Sequence, residues 1–248
     1  MNTTSPVRPE LVEGEELDSI FDFESQRNNL WKLINTKSFE VKNNVHELML
    51  IYALQINDLC IGLHAIEKLI TNTQNKLQQS QWVLLRAIFE ATIKLSYLCC
   101  DTKMTKIRSE ELNHAGVIDQ LKSMKALFSA FPSDEKGVLA IAHLEEKIKE
   151  FPKIKILNME QRLEAISRVN GNTDFAKQLN IYWQRLCAIS HGRPSELFKI
   201  FIGNNRVSFE PFAKINKDDV NEFEYIAAFL LSITCECLVN LSDKAITA

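Results

Sequence analysis

Glycine and proline are scarce in this chain, 7 and 6 among 248 residues. That leaves little material for tight turns and excludes the turn-rich architectures built from many short strands, so helix is the expected state. An excess of positive charge is also missing. The formal net charge is -3, which excludes a protein whose whole surface attracts nucleic acid or an anionic membrane. The six cysteines (Cys60, Cys99, Cys100, Cys187, Cys235 and Cys237) form neither a CxxC motif nor a Cys/His spacing suited to zinc. They read as small core residues of a protein in a reducing compartment. No basic region followed by an apolar core opens the chain, and no apolar run approaches the roughly 18 residues of a membrane span, so a cytoplasmic protein without a membrane partner is expected. Phosphate-binding loops, dinucleotide glycine fingerprints, HExxH, the Gly-x-Ser-x-Gly elbow and an aromatic stacking platform are all missing. No cofactor and no metal are expected.

What the chain does have is helical periodicity. Leu17, Ile20, Phe21, Leu30, Trp31 and Ile34 recur at three, four and seven, which predicts a first helix after Glu15. A second, over about 44–72, carries Leu48, Ile51, Tyr52, Gln55, Leu59, Leu63, Ile66 and Ile70 on one broad side. A third, over about 78–100, is nearly all apolar through Trp82–Leu85 and Ala87–Phe89, as a central helix would be. Helices are predicted over 107–131, stopped by Pro132, and from a Ser133-Asp134-Glu135 cap to Phe151, stopped by Pro152. Asn158-Met-Glu-Gln161 reads as a capping box for a short helix closed by Asn170-Gly171, and another helix runs over about 173–190.

After Pro194 the period changes. Leu197–Ile202 and Arg206–Phe209 around Gly203-Asn-Asn205 read as two short strands. Asp218-Asp219 then opens a last amphipathic helix to about Ser242, with Phe223, Ile226, Ala227, Leu230, Ile233, Cys237, Leu238 and Leu241 on its buried side. The expected fold is all-α: a single multi-helix bundle over 15–248 with a short β-hairpin inserted before the last helix. Residues 1–14 form a disordered tail, having two prolines, a glycine and few large apolar groups. Its run Ser5–Gly14 resembles the translated product of a short repetitive element scattered through some bacterial genomes, which implies a bacterial source.

Charge is spread unevenly. Residues 1–26 hold one base against seven acids, whereas 185–217 hold six bases against two acids. Inside that basic part lies Arg185-Leu-Cys-Ala-Ile-Ser190-His191-Gly192-Arg193-Pro194. Six positions on an unbroken helix place Arg185 and His191 about 120° apart. Gly192 suits a left-handed cap and Pro194 forbids continuation, so His191 is expected at or beyond the last turn, free to swing toward Arg185. An imidazole can move a proton near neutrality and a guanidinium can hold a phosphate, a pairing suited to phosphodiester cleavage. Arg193 adds a phosphate-binding cation. Arg86 and Glu90 share a face of the otherwise apolar third helix. Their functional reading is orientation of Arg185 or His191, and their structural reading is an ion pair locking the bundle. Ser190 stands beside the histidine as a supporting residue. His46, His64, His114 and His143 are scattered over separate stretches of the predicted helices, His46 and His64 eighteen positions apart on the second, without a ligand spacing.

Arg-x5-His in an all-helical bundle resembles the HEPN superfamily, and Arg-x3-Glu followed later by Ser-His-Gly resembles uncharacterised bacterial all-helical families at its edge. The resemblance implies a metal-independent endoribonuclease, a toxin or antiviral effector in stress or phage defence. Arg185 would contact the scissile phosphate and His191 act as acid or base on the ribose 2′-hydroxyl. It also implies RNA as substrate, an antitoxin or defence protein as partner, and two motifs meeting across a dimer. The chain has Leu186 where the family commonly has a polar residue, which suits an alternative, a non-catalytic module that binds a nucleotide or partner. A third reading has Arg185 and His191 merely capping helices. A homodimer is expected because the wide apolar side of the last helix and the hairpin edge need covering.

Overall fold

A computed structural model describes residues 22–35, 43–73, 78–130, 135–171, 173–191 and 222–244. Among them the apolar periodicities become α1 (Phe23–Asn35), α2 (Asn44–Thr73), α3 (Gln78–Cys99), α4 (Thr105–Ala130), α5 (Glu135–Glu150), α6 (Met159–Asn170), α7 (Thr173–Ser190) and α8 (Glu222–Lys244). Helices α3 to α7 begin and end close to their local signals, whereas α1 starts at Phe23 and not directly after Glu15. The clearest case is α6: the Asn158 side chain accepts from Gln161 N–H at 2.9 Å while Gln161 accepts from Asn158 N–H at 3.1 Å, a closed capping box. At its other end Gly171 takes φ 70°, a left-handed conformation that a side chain would strain.

The all-α bundle holds, but the hairpin is corrected: every regular element among the described residues is a helix, with no strand, and the run 197–209 lies outside them. The N-terminal tail and residues 15–21 lie outside them as well.

Helix α3 is the centre. It packs on α2, α8, α7, α6 and α4, and Leu85, Ile88, Phe89, Leu95 and Leu98 are excluded from solvent. Such side chains each stabilise the fold by about 1.5–3 kcal/mol through burial. On α8, Ile226, Ala227, Leu230 and Leu238 are buried, and α1, α2 and α3 cover them. The wide apolar side of α8 is therefore satisfied within one chain. Cys60 lies in the core, and Cys99, Cys235 and Cys237 pack against it as partly buried neighbours.

Two apolar assignments are corrected by packing. Trp31 is 52% exposed and Ile51 is 51% exposed, because α1 and α2 turn their other faces inward. A further correction concerns α2: its stretch Asn44–Ile66 is long and apolar enough by length and composition to cross a membrane. One side of that stretch, through Leu48, Met49, Ala53, Ile56, Cys60 and Leu63, belongs to the bundle core.

Candidate functional site

The C-terminal end of α7 rests against the middle of α3. On α7 and at the residue just past its end, Trp183, Cys187, Ser190 and His191 fall at i, i+4, i+7 and i+8, hence on one side of the helix. Opposite them, Arg86 and Glu90 are one turn apart on α3.

The guanidinium of Arg86 organises the meeting point. Its Nε donates to Glu90 Oε1 at 3.0 Å, and its Nη2 lies 3.0 Å from the same oxygen. On the other side, Nη1 donates to Ser190 Oγ at 2.9 Å and lies 3.2 Å from His191 Nε2. The flat face of the group stands 5.1 Å from the Trp183 ring, which in turn stacks on Phe89 at 6.3 Å. Ser190 passes the chain on, donating to the Cys187 carbonyl at 3.2 Å. Arg86 is thus fixed by a carboxylate, an aromatic face and a hydroxyl, arrangements that suit a planar cation and not an ammonium.

This geometry assigns the imidazole. Arginine carries only donors, so the 3.2 Å contact is a hydrogen bond only when Nε2 presents its lone pair and the ring proton sits on Nδ1. His191 is exposed at the end of α7, whereas the side chains of Arg86 and Glu90 are 25% and 29% exposed. A half-buried cation therefore faces an imidazole that solvent can reach.

The structure brings Arg86, Glu90, Ser190 and His191 together and leaves Arg185 apart. The helix runs regularly through Ser190, and His191 N–H still bonds the Cys187 carbonyl at 3.0 Å. The turn between Arg185 and His191 is thus never undone, and the two stay on different sides of α7. Among the described residues no hydrogen bond joins half-buried Arg185 to His191, Arg86 or Glu90. Arg193 and Gly192 lie outside the described residues. Leu186 is 2% exposed, so a polar residue at that position would sit in the core. The signal that finds the observed contact is the i, i+7 relation of Trp183 and Ser190, read together with Arg86 and Glu90.

A second polar cluster escaped the sequence reading. Glu111 on α4 accepts from Tyr97 Oη at 2.6 Å, from Leu157 N–H at 3.0 Å and from Arg162 Nη2 at 3.0 Å. Arg108 donates to the Tyr97 carbonyl at 2.8 Å and to Cys100 Sγ at 2.9 Å. Burial, then the hydrogen bond to the Glu111 carboxylate, pushes the Tyr97 phenol above its usual range against the pull of Arg108 and Arg162. With the Arg162 and Glu111 side chains 7% and 2% exposed, the cluster has no open face and acts as a tie among α3, α4 and α6.

The other histidines have separate surroundings: His64 lies 3.3 Å from Glu24, and His114 stacks on Phe151 at 4.8 Å. His46 is buried on α2 and His143 is exposed on α5.

No curated protein and no solved structure matches the chain. A family model does match, over residues 62–207, a segment containing Arg86, Glu90, Arg185, Ser190, His191 and Arg193. That segment is more than half of the chain, and the protein belongs to this family of unknown function, DUF5677.

Proposed function

We infer that the junction of α3 and α7 is a phosphodiester site, and that the protein is a metal-independent endoribonuclease of HEPN type, a cytoplasmic toxin or antiviral stress effector. The observation that supports this reading is a solvent-reached imidazole, His191, held 3.2 Å from a fixed guanidinium, Arg86. In this reading Arg86 takes the place first expected of Arg185 beside the histidine. Glu90 and Ser190 hold Arg86 in place, and Arg193 contacts a neighbouring phosphate. RNA is the substrate, and an antitoxin or defence protein the partner.

RNA carries its own nucleophile. The 2′-hydroxyl loses its proton to a base as its oxygen bonds to phosphorus; the bond from phosphorus to the 5′ oxygen breaks, and that oxygen takes a proton. A 2′,3′-cyclic phosphate remains. A phosphate entering the site competes for Arg86 Nη1, and a guanidinium turned toward it frees the Nε2 lone pair to accept the 2′-hydroxyl proton. Electrostatic stabilisation of the phosphorane by Arg86 completes the step.

The test is cleavage of end-labelled RNA by the full chain with a chelator present. The wild-type protein is expected to leave cyclic phosphate ends. His191→Ala and Arg86→Lys are each expected to lose about a hundredfold or more in rate, and Arg185→Ala to stay within about threefold, since its guanidinium lies outside the cluster. A folded His191→Ala variant that still cleaves RNA overturns the reading.

One observation favours the second reading, a module that binds a nucleotide or partner without chemistry. Leu186, where a polar residue would accompany catalysis, is 2% exposed and part of the core. In that case the protein binds a labelled nucleotide, loses binding in Arg86→Ala, and leaves RNA intact.

A further inference from the structure

Helix α2 has a second apolar side that the bundle does not use. Away from the core, the exposed residues Glu47, Ile51, Leu54, Asp58, Ile61, Ala65 and Lys68 follow one another at intervals of four and three. That alternation keeps them on one narrow stripe along some six turns. Ile51, Leu54 and Ile61 are 51%, 38% and 45% exposed. A helix whose core side is complete would ordinarily carry polar residues there.

The charges along the stripe say what fits it. An acid, Glu47, stands at one end and a base, Lys68, at the other, and their midpoint falls between Asn57 and Asp58. A second copy of α2 laid antiparallel about a two-fold axis at that midpoint brings each Glu47 beside the other copy's Lys68. Leu54 and Ile61 then straddle the axis and cover their counterparts. Parallel pairing would set like charges against each other at both ends. A lipid surface is disfavoured, because Asp58 lies in the middle of the same stripe.

We propose that the outer stripe of α2 is a homodimer interface, formed by antiparallel pairing of this helix with its copy in a second chain. The reason for dimerisation thereby moves from α8, which the chain covers itself, to α2. The two Asp58 carboxylates meet near the axis and weaken the pairing. One helix pair also lies at the small end of stable interfaces, below roughly 1,200 Å² in total. Association is therefore reversible and concentration-dependent. The proposal does not depend on the nuclease reading.

Sedimentation equilibrium of the full chain over a concentration series tests it, with circular dichroism confirming that each variant is folded. Wild-type protein is expected to show a monomer–dimer equilibrium. Leu54→Glu with Ile61→Glu raises the dissociation constant about a hundredfold or more, and Asp58→Asn lowers it. Glu47→Lys and Lys68→Glu each weaken the dimer about two- to fivefold, and the two together restore it. A protein that is monomeric at every concentration overturns the proposal. So does a dimer indifferent to Leu54→Glu with Ile61→Glu, which uses another face, or a monomer that cosediments with vesicles of neutral and anionic phospholipid.

Discussion

At the scale of single residues, the protein depends on where its few inward charges find partners. Glu111 is held by Tyr97, Leu157 and Arg162, and removing it strands a guanidinium that is 7% exposed. Glu111→Ala is expected to destabilise the protein by about 3–5 kcal/mol. Adding Arg162→Met should recover a large part of that, because a thioether in the same place needs no counter-charge. Chemical denaturation of both variants checks the pair.

Tyr52 senses the same cluster. Burial, opposed by Arg162 and reinforced by Glu111, raises its phenol from 10.0 to about 12. The folded chain keeps a proton that the unfolded chain releases, so this contribution to stability is intact below pH 10 and is lost as pH rises from 10 toward 12. Denaturant midpoints measured across that window should fall for the wild type and fall less steeply for Tyr52→Phe.

Residues are also where the sequence misleads most. Arg185 and His191 attract notice because they are close in the chain, yet the histidine meets Arg86, 105 positions away. Spacing fixes the angle between two side chains on one helix; it says nothing of the helix across from them.

At the scale of elements the local rules suffice. The box between Asn158 and Gln161 and the left-handed Gly171 bound α6 where the side-chain chemistry places them. Asn158→Ala leaves an N–H without its acceptor and is expected to cost about 1 kcal/mol. Scanning calorimetry should register a fall of roughly 2–4 °C for a chain of this size. The apolar density of Trp82–Phe89 likewise marks α3 as central before any packing is known. Ile51 shows the limit of this reading: its helix is apolar on two sides, and periodicity cannot rank them. The hairpin expected from a change of period and a glycine turn falls at 197–209, outside the described residues, among which every regular element is a helix.

At the scale of the whole molecule, two contacts define what the protein presents to others. Packing of the C-terminal end of α7 on the middle of α3 puts an imidazole beside a guanidinium. Packing of α2 on α3 consumes one apolar side of α2 and leaves Ile51, Leu54 and Ile61 facing out. The first supports a phosphodiester site and the second a partner surface. They lie on separate faces of α3's neighbours, so a variant of the α2 stripe that loses the dimer need not disturb the Arg86 cluster.

The sequence by itself determined the all-helical bundle, most of the helix ends and the central helix, because hydrogen bonds within a turn, caps and apolar spacing act over a few residues. The tertiary structure alone decided which arginine stands beside His191, which side of α2 is left open and which acids are sealed inside. Those outcomes depend on contacts between helices far apart in the chain, where the rotation of each helix about its axis is set by the packing of all its neighbours.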